Sequence, residues 1–125
     1  MKFTAKVISG EGRGKELGFP TINMVVPDPF KLKAGVYACW VRLESSSQMY
    51  VGALHYGPIP VFDQEKYSLE VHLLDIEENI TPKKLTIDIV KHLRPVMYFP
   101  DPPELISQIE EDVRQIRKAL VSDLS

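Results

Sequence analysis

Hydrophobic and polar positions alternate along most of this chain, and the period lengthens only near its end. Phe3 to Ile8 is the first short segment of β character. Val36 to Leu43 (VYACWVRL) follows an Ala34-Gly35 turn, and Ser45-Ser46-Ser47 reads as a hairpin loop into Met49 to His55. In Tyr67 to Leu74 (YSLEVHLL), Leu69, Val71 and Leu73 fall on one face, with Glu70 and His72 on the other. Leu85, Ile87 and Ile89 repeat that alternation. Pro27, Pro29, Pro58, Pro60, Pro82, Pro95 and Pro100 read as punctuation between these segments, where a missing amide donor does least harm.

Beyond Pro100 the pattern becomes helical. Leu105, Ile106, Ile109, Val113, Ile116 and Leu120 form one stripe, with charged residues opposite. Asp101 is placed to be the N-cap, Pro102 takes the first helical position, and Glu104 completes a capping-box spacing. Short strands followed by one helix predict a mainly β fold: a small antiparallel barrel whose C-terminal helix covers a sheet or the barrel's open end. The stripe itself reads as core.

Composition narrows the picture. A chain of 125 residues has room for one domain and one core, so residues 1–125 are expected to form a single unit. The formal net charge of −2 offers no basic field, and no nucleic-acid partner is expected. No apolar run approaches the roughly 20 residues that span a bilayer, and the N-terminus lacks a leader-like apolar stretch. A single cysteine, Cys39, excludes an internal disulfide; beside Trp40 it reads as a packed, inert thiol. A cytoplasmic monomer without a membrane partner is the expectation.

The candidate chemistry starts at Gly10 to Asn23, GEGRGKELGFPTIN. Gly10, Gly12 and Gly14 let a backbone approach a ligand closely; Arg13 and Lys15 add charge, and a Pro20-Thr21-x-Asn23 turn adds neutral oxygens. Amide donors, cations and neutral oxygen ligands suit a polyphosphate with its Mg²⁺, although many glycine-rich loops merely turn the chain. Walker A is excluded because Gly14-Lys15 is followed by Glu16, and a Rossmann fingerprint because Gly18-Phe19-Pro20 forbids a helix there. Glu70, by composition alone, is an ordinary solvated strand residue. Glu70-x-His72 could serve acid–base chemistry or simply decorate a surface. His55, His72 and His92 lack zinc-ligand spacing. Arg94, closing the last strand, is a surface charge or the wall of a site mouth.

Taken in order, these segments resemble the riboflavin kinase (flavokinase) family, including the kinase domain of bacterial bifunctional FAD synthetases. The family signature GxGRGxxLGFPTxN is met by Gly10, Gly12, Arg13, Gly14, Leu17, Gly18, Phe19, Pro20, Thr21 and Asn23. Gly35-Val36-Tyr37-Ala38, Gly52 to Phe62, Leu69 to Asp75, Leu93-Arg94-Pro95 and the acidic helix follow in the family's order. The resemblance implies a six-stranded antiparallel Greek-key barrel with a C-terminal helix. It also implies transfer of the ATP γ-phosphate to the 5′-hydroxyl of riboflavin, giving FMN and ADP. On that likeness Gly10, Gly12, Arg13, Gly14 and Lys15 would cradle the phosphates, and Ile80 would contact the nucleotide. Thr21 and Asn23 would hold Mg²⁺, Glu70 would deprotonate the hydroxyl, and Arg94 with Phe99 would close over the flavin.

The rim departs from the family pattern. Asn79-Ile80-Thr81-Pro82 stands where a Tyr-Gly is usual, and loss of an aromatic contact to the base weakens stacking by about 1 kcal/mol or more. Ile59 stands where bacterial members often carry arginine, Val61 replaces a threonine, and Val96-Met97 begins a segment that is lysine-rich elsewhere in the family. Two rival readings stand beside the kinase. One is a flavin- or nucleotide-binding module with impaired turnover. The other is a kinase of the same fold using another nucleotide or another small alcohol.

Overall fold

The structure is a computed structural model that describes residues 1–8, 21–44, 48–61, 64–76, 82–97 and 99–121. Six strands are present: β1 (Lys2–Ile8), β2 (Ile22–Met24), β3 (Gly35–Leu43), β4 (Met49–Val61), β5 (Gln64–Leu73) and β6 (Lys84–Arg94). All pair antiparallel, and they close in the order β1-β2-β5-β4-β3-β6. β3, β4 and β5 form a meander, and β6 returns beside β3, which is the Greek-key arrangement. β6 also bonds β1, which closes the sheet into a barrel.

Alternation decides the interior. Leu54, Leu69, Val71, Leu85, Ile87 and Val41 are essentially inaccessible, and each contributes roughly 1.5–3 kcal/mol by leaving water. Cys39 lies among them with its Sγ 3.4 Å from the Gly52 carbonyl, and burial pushes its thiol pKa upward, as befits an inert packed group. Gly52 is glycine because the interior is full. A Cβ there would lie 2.9 Å from Val71 Cγ2 and 3.0 Å from Val41 Cγ2. The connection between β2 and β3 packs Val26, Phe30 and Leu32 onto this core, Phe30 meeting Phe3 and Tyr56 edge-on at 5.0 and 4.9 Å.

Among the described residues one α-helix, α1 (Pro102–Ile116), is followed by a π-helical turn, Arg117–Val121. Asp101 caps it, accepting a bond from the Glu104 amide at 3.1 Å, with Pro102 in the first turn. Ile116 and Leu120 are buried against Ala38 and Leu74, with Trp40, Val51, Ala53 and Leu93 around them. Ala38 and Trp40 alternate with the interior residues Tyr37, Cys39 and Val41. The helix therefore lies on the outer wall of the barrel, the sheet-covering alternative of the two expected.

Two expectations need correction. Thr21-x-Asn23 is no turn: Ile22–Met24 forms a strand that pairs with both β1 and β5. Three residues are too few to show a period, so pattern alone misses it. Pro58 and Pro60 do not separate elements but lie inside β4, opposite Tyr67 and Glu65. β4 loses its β3 partner after the Gly35↔Tyr56 pair, and among the described residues no other strand pairs with that side, where proline costs no ladder bond.

Candidate functional site

Residues directly opposed in an antiparallel pair share a face of the sheet. Asn23 on β2 opposes Glu70 on β5, Glu70 opposes His55 on β4, His55 opposes Val36 on β3, and Val36 opposes Arg94 on β6. Their neighbours Met24, Leu69, Val71, Leu54 and Tyr37 fill the interior, so this row runs across the outer wall. Thr21, two residues before Asn23, joins it: its hydroxyl donates to Glu70 Oε1 at 3.3 Å. The sheet thus brings together three residues singled out in the sequence, a carboxylate with a threonine hydroxyl and a carboxamide beside it.

Arg94 reaches the far end of the row through an irregularity. Val36 pairs with Arg94 but Tyr37 with His92, leaving Leu93 as the extra residue of a bulge. Leu93 and Arg94 consequently both turn toward α1, Leu93 into the apolar contact and Arg94 onto Asp112. Arg94 Nε and Nη2 each donate to the Asp112 carboxylate at 2.8 Å, and Gln108 Nε2 donates to it at 3.0 Å. Asp112 is only 5% exposed and is a buried acid within an apolar contact surface. The guanidinium carbon of Arg94 lies 6.0 Å from the Phe99 ring centroid, so the two expected flavin-side residues are neighbours.

Between the carboxylate and the guanidinium stands His55. Burial holds its pKa below the usual imidazole value; Glu70 opposes that fall and Arg94 adds to it. His72 shares Glu70's face one strand repeat away, opposite Ala53. Gly10, Gly12, Arg13, Gly14, Lys15 and Ile80 lie outside the described residues, as does Thr81.

His55 and Asp112 carry weight that sequence reading missed. Spacing along the chain tests His55 only as a zinc ligand, because the residue opposite it, Glu70, lies on another strand. Asp112 did leave a signal. It stands three residues after Ile109 and four before Ile116, on the apolar stripe, where an acid implies a buried partner.

The donor set suits a divalent cation only in part. Among the described residues no group of three or more His, Cys, Asp or Glu side chains could hold a metal. Thr21 and Asn23 offer neutral oxygens beside Glu70, which fits a hard ion that keeps its waters and a ligand's phosphates.

Fold and row together define a small closed β-barrel whose polar groups sit on the outer wall. The family model described as riboflavin kinase (Flavokinase) matches residues 1–120. The bifunctional riboflavin kinase/FMN adenylyltransferase of Haemophilus influenzae is 34% identical over 108 residues, covering 86% of this chain and 35% of that protein. Human riboflavin kinase is 32% identical over 121 residues, covering 92% of this chain and 77% of its own. Among solved structures, a Streptococcus pneumoniae protein described as a macrolide-efflux protein aligns with TM-score 0.81 and 26% identity, over 93% of this chain and 38% of that one. Riboflavin kinase from Trypanosoma brucei shares the fold, with TM-score 0.63 and 20% identity over 95% of this chain and 78% of that one. The chain belongs to the riboflavin kinase family. It spans about a third of the length of the bacterial bifunctional relatives it matches.

Proposed function

We propose that the chain phosphorylates riboflavin with ATP, giving FMN and ADP. The observation that carries this reading is the Thr21–Glu70 hydrogen bond, with Asn23 directly opposite Glu70. The carboxylate that would act as base and the neutral oxygens that would hold a polyphosphate's cation thus lie side by side, on β5 and at the start of β2. Phosphoryl transfer asks little covalent chemistry of a protein, mainly in-line positioning and neutralisation of charge. Here the 5′-hydroxyl oxygen attacks the γ-phosphorus, the bond to the β,γ-bridging oxygen breaks, and the hydroxyl proton passes to the Glu70 carboxylate. Thr21 Oγ1 and Asn23 Oδ1 would hold Mg²⁺, which supplies charge neutralisation for the phosphates when bound.

Around that centre, Gly10, Gly12, Arg13, Gly14, Lys15 and Ile80 are assigned to the nucleotide on the family likeness. Arg94 and Phe99 are assigned to the flavin. The bidentate anchor on Asp112 supports a wall role for Arg94, since it fixes a long side chain that would otherwise lose entropy on binding.

The test is FMN production from riboflavin, followed by chromatography with each of the four nucleoside triphosphates, for wild type and Glu70→Gln. FMN from wild type and a sharp loss in the variant are expected. Riboflavin and ADP binding without any FMN in wild type would favour the binding-module reading. FMN made equally well from every triphosphate would point to weakened base recognition at Thr81-Pro82.

A further inference from the structure

We infer that His55 Nδ1 and Ser68 Oγ form a hydrogen-bonding subsite for the hydroxyl chain of the alcohol substrate, alongside Glu70. This deepens the kinase reading and rests on it. Among the described residues, two buried side-chain polar atoms have no hydrogen-bond partner, and they are these two. Buried polar groups in folded proteins are nearly always paired, so an orphaned pair marks a place where something is missing.

Their location says what is missing. His55 is directly opposite Glu70, and Ser68 precedes Glu70 by two residues on the same strand. Ser68 in turn opposes Gly57, the next outward position after His55 on β4. His55 and Ser68 are therefore diagonal neighbours, a relation that sets Cα atoms roughly 7–8 Å apart. Both orphans flank the carboxylate assigned as the base, on the outer wall.

The chemistry of the pair selects a neutral polyol over a phosphate. A serine hydroxyl and an imidazole each donate or accept, as a chain of alcohols also does. Burial and the nearby Arg94 favour the uncharged imidazole. The fixed cation at this end of the row, Arg94, already gives Nε and Nη2 to Asp112 and Nη1 to the Pro95 carbonyl. A ribityl-type chain whose terminal hydroxyl sits at Glu70 would pass over both orphans.

Val96 packs over the outward position next to them: its Cγ2 lies 2.6 Å from where a Cβ on Gly57, the residue opposite Ser68, would stand.

The experiment compares wild type, His55→Phe and Ser68→Ala by riboflavin calorimetry, Mg·ADP calorimetry and thermal unfolding of the free protein. Each variant should bind riboflavin about 5- to 10-fold more weakly, as for one lost neutral hydrogen bond. KM for riboflavin should rise with it, and Mg·ADP affinity should hold. The free variants should melt at the same temperature or a few degrees higher, because an unpartnered buried atom has been removed. Unchanged riboflavin affinity in both variants overturns the subsite while leaving the kinase reading intact. Weaker binding of both ligands together with a lower melting temperature also overturns it, by making the residues structural. A wild type that neither binds nor phosphorylates riboflavin overturns the kinase reading and the subsite with it.

Discussion

Replacing Asp112 by asparagine removes one half of the ion pair that ties the barrel to its helix. The carboxylate takes two bonds from Arg94 at 2.8 Å and one from Gln108 at 3.0 Å. The side chains of Arg94 and Asp112 are 15% and 8% exposed, so little solvent is available to replace the lost partner. Removing one member of such a pair costs roughly 3–5 kcal/mol, mostly as the uncompensated charge of the other. Arg94 keeps its bond to the Pro95 carbonyl at 3.2 Å and the Phe99 ring nearby, which lowers the expectation to about 2–4 kcal/mol. For a chain of this size that is a fall in Tm on the order of 10–15 °C, or a clear drop in urea midpoint at constant m-value. The double variant Arg94→Met/Asp112→Leu should recover most of this, since an apolar pair leaves no charge stranded. Riboflavin affinity should fall in Asp112→Asn and in Arg94→Met alike, and non-additively in combination, with ADP affinity unchanged. A cost under about 1 kcal/mol for Asp112→Asn, or single-variant losses that simply add, would refute this account of the pair.

Other outcomes follow from the same geometry. Glu70→Gln should lower turnover by about 10²–10⁴-fold while riboflavin and ADP still bind; intact turnover removes Glu70 as the base. Thr21→Ala should abolish the Mg²⁺ dependence of ADP binding without unfolding, and unchanged Mg·ADP affinity in calorimetry would exclude Thr21 as a ligand. Gly52→Ala should cost about 1–3 kcal/mol in urea unfolding, because its methyl would meet Val71 and Val41 inside a full barrel; a neutral result would mean the interior has slack. His55 has a folded pKa below its ordinary value, so the unfolded state takes up its proton first as pH falls. Stability present above pH of about 6.5 should therefore be lost on acidification through the lower folded value. His55→Phe should flatten that slope as pH falls below about 6.5, and an identical slope would show that other groups carry it.

The two-residue period of Tyr67 to Leu74 is a statement about one strand, and it was enough to turn Glu70 away from the core. The stripe from Leu105 to Leu120 likewise announced a helix with a buried side, and Asp101, Pro102 and Glu104 marked where it begins. These features were legible because each depends on residues a few positions apart. β2 was not, since three residues make no pattern and its strand character comes from being held between β1 and β5. The prolines in β4 misled for a related reason: whether an amide is needed depends on whether a neighbouring strand is there.

The sequence by itself determined the alternating faces, the capped helix, the inert cysteine and the ordered motifs that resemble the riboflavin kinase family. Those are local matters of side-chain period, backbone restriction and order along the chain. Only the closed barrel decided that Asn23, Glu70, His55 and Arg94 stand in one row, because register between strands is set by what the whole sheet buries. The bulge at Leu93 and the docking of α1 likewise decided that Arg94 meets Asp112, 18 residues further along. Long-range pairing of this kind comes from closing loops around a shared core, and no local period encodes it.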